Sequence, residues 1–254
     1  MSMLLPLLFL IALTRIDGSS LPHIAAPQDQ STQAEVARWT AQLKSGDQEQ
    51  RRDAVMVLSR IDDDNAVSAL ISAVTDPSPS VRAHVLSALG ERSETRVLPY
   101  IVARLTSDKD PFVRKAAAYA LAKFSSAERT AGLIAGLKDK DQEVRGAAAV
   151  SLGDHPDPAA IAALAAALSD KNEFVRAHAA RALGVNGSSA TPVVPALIKL
   201  LDSDRDGEVK RRAAAALGLI GDRSALPALE RASGDSDSYL AEAARDAIRM
   251  IEGK

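Results

Sequence analysis

The sequence predicts an all-α fold, a right-handed α-solenoid (superhelix) of about seven two-helix repeats. Three observations carry this. A basic anchor recurs at Arg51, Arg82, Arg114, Arg145, Arg176 and Lys210, and Ala241 takes the same place at the end, at intervals of 31, 32, 31, 31, 34 and 31 residues. A period in that range marks stacked units rather than one globular core. Around each anchor an apolar pattern of helical period repeats, and four residues before it stands Asp47, Ser78, Asp110, Asp141, Asn172, Asp206 or Asp237, each a good helix N-cap.

The helix that holds the anchor, the second of each repeat, is justified position by position. Valine or leucine precedes the anchor from Val81 to Leu240, and small residues such as Ala117, Ala148 and Ala179 follow three later. Small residues recur six after the anchor, and Leu58, Leu89, Leu121, Leu152, Leu183, Leu217 or Ile248 stands seven after it. These positions share one side of an α-helix, where alanine admits a neighbouring helix and leucine fills the gap. Pro79 and Pro111 follow two of the caps, a place where proline is tolerated. Gly90, Gly153, Gly184 and Gly218 fall in the last turn, where they allow close backbone approach and help end the helix.

A first helix precedes each of these. Val67, Leu70, Ile71 and Val74 have i, i+3, i+4, i+7 spacing, as do Leu98, Ile101, Val102 and Leu105, and Val194, Leu197, Ile198 and Leu201. A lone hairpin of this kind cannot bury its apolar stripe, so hairpins stack.

The segments Asp108–Leu121 (DKDPFVRKAAAYAL), Asp139–Gly153 (DKDQEVRGAAAVSLG) and Asp170–Gly184 (DKNEFVRAHAARALG) resemble the HEAT repeat, in the short form found in phycobilisome lyase-like proteins. The resemblance runs from about Ser31 to Glu252. It implies a scaffold with an extended concave binding face, lined by the second helices. It also permits a second reading, a bilin (phycobiliprotein) lyase or its accessory subunit. The terminal units depart from the pattern, with Gln50 before the first anchor and Ala241 as the last, as expected where a stack meets water.

The repeat divides the chain into a leader over residues 1–26, a linker over 27–30 and a solenoid over 31–254. Met3–Leu13 (MLLPLLFLIAL) is an uncharged apolar run, too short to span a bilayer and suited to a signal-peptide core. Small residues follow at Gly18, Ser19, Ser20, Ala25 and Ala26, so export with removal of the leader is expected; a cytoplasmic protein is the alternative. Pro22 and Pro27 predict that the linker is not helical.

Chemistry-bearing patterns are sparse. The chain has no cysteine, which excludes disulfides and thiolate chemistry. His23, His84, His155 and His178 stand in no His-x-x-x-His or Glu-x-x-His spacing. Deoxyhypusine hydroxylase, an enzyme group built on this repeat, holds iron with His-Glu pairs; here Ile24, Val85, Pro156 and Ala179 follow the histidines. No phosphate loop or nucleophile elbow is present. No catalytic residue, metal or cofactor is therefore expected. A net charge of −2 argues against nucleic acid as partner.

Two charge patterns remain. An aspartate precedes the anchor by six residues at Asp76, Asp108, Asp139, Asp170, Asp204 and Asp235, which predicts an Asp–Arg ladder within or between repeats. On the outer side of the second helices stand Arg52, Arg60, Lys115, Lys123, Arg181, Arg211 and Arg212 against Asp53, Glu91 and Asp154. With His84, Tyr119 and His178 among them, these residues predict a basic concave groove that takes an acidic peptide or protein, on a monomer.

Overall fold

The computed structural model describes residues 27–253. Fourteen α-helices pair into seven hairpins: α1 (Pro27–Gln42) with α2 (Gln48–Leu58), α3 (Asp64–Ser72) with α4 (Pro79–Arg92), α5 (Leu98–Ser107) with α6 (Pro111–Leu121), and α7 (Ala127–Gly136) with α8 (Gln142–Leu152). The last three are α9 (Ile161–Ala167) with α10 (Glu173–Val185), α11 (Val194–Ser203) with α12 (Gly207–Ile220), and α13 (Leu226–Ala232) with α14 (Ser238–Glu252). No strand occurs among the described residues. The fold is an α-solenoid.

The second helices pack on one another without a break from α2 to α14, whereas the first helices meet less regularly. Small residues explain the difference. A Cβ added to Gly90, Gly184 or Gly218 would lie 3.1, 2.8 or 2.7 Å from the Cα of Ala120, Ala216 or Ala247 in the next repeat. Backbones this close leave room for no side chain but hydrogen on one helix and methyl on the other. The second helices therefore form the more closely spaced of the two rows. Leu58, Leu89, Leu121, Leu152, Leu183 and Leu217 are at most 1% exposed and form a continuous core column between the two rows.

Helix ends differ from the sequence reading in three places. The expected linker over 27–30 is the first turn of α1, because Pro27 begins the helix, where its missing N–H costs nothing. Six of the seven caps accept from a first-turn N–H, but Ser78 makes no side-chain cap bond; its hydroxyl donates to Gln48 Oε1 at 2.7 Å. Gly90, Gly184 and Gly218 serve approach rather than termination: the left-handed residues after helices are Ser93, Gly187 and Gly221. The interval of 34 residues arises between α10 and α11, where a 3-10 segment, Gly187–Val193, is entered by Gly187 at φ 56°. The expected signal segment, Met3–Leu13, lies outside the described residues.

Candidate functional site

The Asp–Arg pattern is a ladder that joins consecutive repeats. Arg51, Arg82, Arg114, Arg145 and Arg176 each donate to the aspartate of the next repeat, Asp76, Asp108, Asp139, Asp170 and Asp204, with Nε–Oδ2 distances of 2.6–2.8 Å. The second fork nitrogen donates to the other carboxylate oxygen at 2.8–3.0 Å. The third reaches back to carbonyls of its own turn, as Arg114 does to Asp108 and Lys109. Each aspartate also accepts from the N–H two residues on, as Asp139 does from Asp141. Arginine is required for this, since only a planar fork serves a carboxylate and a turn at once. Burial alone would raise the Asp108, Asp139, Asp170 and Asp204 carboxyls. The bonds from arginine and from the turn N–H outweigh it and hold all four below the usual aspartate range. The ladder is structural, and it stops at Lys210, which forms no ion pair with Asp235.

The residues expected to form a basic groove do stand on second helices or just beyond them, but most are neutralised locally. Arg52 pairs with Glu49 at 3.0 Å, Lys115 with Glu143 at 3.6 Å, Lys123 with Glu91 at 3.2 Å and Arg181 with Asp154 at 3.6 Å. Arg211 bridges Glu208 and Asp237 at 3.0 and 2.9 Å, and Arg212 meets Glu208 at 2.7 Å. Arg60 alone of the seven cations has no ion pair among the described residues. Glu91 and Asp154 share the outer side of the helices with their partners, whereas Glu49, Glu143 and Glu208 stand two residues before the anchor, one helical turn from their partners or across the repeat boundary. His84 Nδ1–H donates to the Ser80 carbonyl at 2.7 Å. His178 meets Phe174 with ring centroids 4.2 Å apart and planes tilted by 50°; burial, and then Arg181 and Arg212, push its pKa down.

What this face does expose is apolar. Of nine large hydrophobic residues exposed among those described, eight stand on second helices: Met56, Phe112, Tyr119, Phe174, Val185, Leu219, Tyr239 and Met250. Tyr100 on α5 is the ninth. Nine residues after the anchor the row is charged in the first four repeats (Arg60, Glu91, Lys123, Asp154) and apolar in the last three (Val185, Leu219, Met250). Leu219 and Met250 lie over Gly184 and Gly218, whose missing side chains leave them room. Of these eight, only Tyr119 belongs to the groove that the sequence predicts.

Models of the HEAT repeat match residues 36–122, 130–194 and 186–249. The chain belongs to the HEAT-repeat family. No curated protein matches it in sequence. Among solved structures, this HEAT chain is similar to YibA of E. coli, with 19% identity, 92% and 100% of the two chains covered and a TM-score of 0.55. It is similar to the CpcE–CpcF complex of phycocyanin lyase from Nostoc sp. PCC7120, with 21% identity, 96% and 99% coverage and a TM-score of 0.52. A designed armadillo repeat protein gives 20% identity, 85% and 99% coverage and a TM-score of 0.52. At these identities the likeness is one of fold.

No group of three or more potential metal ligands, and no helix long and apolar enough to cross a membrane, occurs among the described residues of this HEAT solenoid. The most buried charge is Arg129 on α7, 1% exposed. Its guanidinium donates to the Leu121, Ser151 and His155 carbonyls, the ends of α6 and α8 and the turn beyond. Burial pushes its pKa down, while Asp154 and Asp157 pull it back up. It closes two helix ends at once, a packing role.

Proposed function

We propose that this HEAT solenoid is a non-catalytic interaction scaffold that binds a protein or peptide partner across the face made by its second helices. The observation that carries the proposal is the one-sided distribution of exposed apolar side chains, eight of nine on second helices. Apolar and aromatic side chains gathered on one extended face are what a partner's core contacts use, with paired charges as a rim. Arg52, Arg181, Arg211 and Arg212 belong to that rim, where their ion pairs must be shared or exchanged when an acidic partner docks. Export, which the apolar run Met3–Leu13 supports, would place the scaffold outside the cytoplasm; N-terminal sequencing of the protein from its own host checks it.

The test is site-specific photocrosslinking in the native host from Tyr119, Leu219 and Met250, with Tyr100 on the opposite row as control. A shared protein adduct from the three second-helix positions, absent at Tyr100, is expected. Adducts from Tyr100 alone would move the binding face to the first helices. The bilin-lyase reading shares its solenoid with the CpcE–CpcF complex. A shifted bilin absorption band on mixing with the purified protein would put that reading first.

A further inference from the structure

The turns between the two helices of a repeat form one edge of the solenoid. The residue after each ladder aspartate stands on that edge, and in four consecutive repeats it is a cation: Lys109, Lys140, Lys171 and Arg205. All four are exposed, and none forms an ion pair among the described residues. They contrast with the cations of the second-helix face, which are mostly paired.

The ladder itself holds this row in place. The carbonyls of Lys109, Lys140 and Lys171 accept from Arg114, Arg145 and Arg176 at 3.2, 3.2 and 3.4 Å. The ladder aspartates beside them are already bound by arginine. The remaining acids of the edge, Asp110, Asp141 and Asp206, turn inward to cap the N–H groups of α6, α8 and α12. Asn172 replaces the fourth, so Lys171 has no capping carboxylate beside it. Lys109, Lys140 and Lys171 are thus fixed at their backbones and free at their tips, an arrangement that lowers the ordering cost of binding; Arg205, whose repeat carries Lys210 as anchor, lacks that tie.

Packed helices lie about 8–10 Å apart, and an extended chain advances about 3.3–3.6 Å per residue, so one repeat matches three residues of a strand. We infer that this edge docks an extended acidic segment of a partner protein, with carboxylates at every third residue meeting Lys109, Lys140, Lys171 and Arg205 in turn. Glu143 and Glu173 stand exposed on the adjoining first turns of α8 and α10 and would repel the denser charge of a nucleic acid strand. This inference does not depend on the apolar second-helix face, which is a separate surface.

The test uses a labelled twelve-residue peptide with glutamate at positions 1, 4, 7 and 10 among serine and glycine, and a control of the same composition with the glutamates consecutive. Fluorescence anisotropy on the full chain should show tighter binding of the spaced peptide. Binding should weaken by about tenfold between about 50 and 200 mM salt, since exposed charges are screened over about 8–10 Å. The variant Lys109→Gln, Lys140→Gln, Lys171→Gln, Arg205→Gln should lose about 30-fold in affinity with its melting unchanged, whereas Arg96→Gln with Arg223→Gln, on turns between repeats and outside both surfaces, should bind as the parent does. Should the quadruple variant misfold, Lys171→Gln alone should still weaken binding about threefold. Failure of the parent to bind at low salt, equal binding of the two peptides, or equal binding by the variants overturns the inference. So does an oligonucleotide that displaces the peptide at lower concentration than the peptide's own dissociation constant.

Discussion

The first five junctions between repeats and the last one are built from the same parts and closed differently. From α2 to α10, a buried arginine fork spans two repeats and holds its own turn. Between the last two repeats Lys210 stands where arginine would be, and Asp235 accepts only the Asp237 N–H. The junction is crossed instead by Arg211–Asp237, whose side chains are about a third exposed. An ammonium is a point donor that cannot serve two carboxylate oxygens and a turn carbonyl together, so the same charge at the same place makes no rung. Close packing of Gly218 against Ala247 then carries much of the last junction. The comparison teaches that the ladder depends on donor geometry, and that close packing with a partly exposed ion pair can hold a junction that lacks the fork.

The comparison can be broken most forcefully at a central rung. Arg145→Ala leaves Asp170 buried without its partner and should cost about 3 kcal/mol, a fall of about 6–12 °C in melting temperature. Binding on the second-helix face should persist. Calorimetry with the crosslinking assay checks both. An unchanged melting temperature would mean that the ladder contributes no stability.

The last junction breaks through packing instead. Gly218→Ala places a methyl 2.7 Å from the Ala247 backbone and should destabilise by about 1–3 kcal/mol. Gly46→Ala meets nothing within 4 Å and should be close to neutral. Urea unfolding of both variants measures the difference.

Acid separates the two kinds of junction. The Asp108, Asp139, Asp170 and Asp204 carboxyls titrate lower in the folded state than in the unfolded chain, where aspartate has a pKa of about 3.9. Their stabilisation is complete above that value and is lost as pH falls through the lower folded values. Melting temperature should be flat near neutrality and drop steeply below about pH 4. Arg145→Ala should flatten part of that drop.

The smallest effect sharpens the comparison. Lys210→Arg restores the fork opposite Asp235, whose carboxylate is already held by the Asp237 N–H at 2.9 Å. It should stabilise the protein by up to about 1 kcal/mol and raise the melting temperature by about 2–4 °C. A destabilised variant would show that the turn at Asp235 does not present its carboxylate to a fork at position 210.

The repeat, its helix pairs and the residues of its ladder were legible because they depend on local periodicity and on residues that recur once per unit; that each arginine reaches the aspartate of the next repeat was not. Leu121 and Leu152 are core because their position is core in every repeat. The surface was less legible. Lys115 and Lys123 read as free cations along one helix, yet they are neutralised by Glu143 and Glu91 from neighbouring repeats. Phe112, Phe174, Val185, Leu219, Tyr239 and Met250 were not singled out because no two neighbouring positions in the chain mark them as a patch.

By itself, the sequence determined a stack of seven helical hairpins, its caps and its arginine ladder, since each depends on spacing along the chain and on fixed side-chain chemistry. Only the tertiary structure decided which charges remain free and which apolar side chains face outward. Both depend on the close distance between second helices, where a side chain's nearest partner lies about 30 residues away in sequence and one helix spacing away in space.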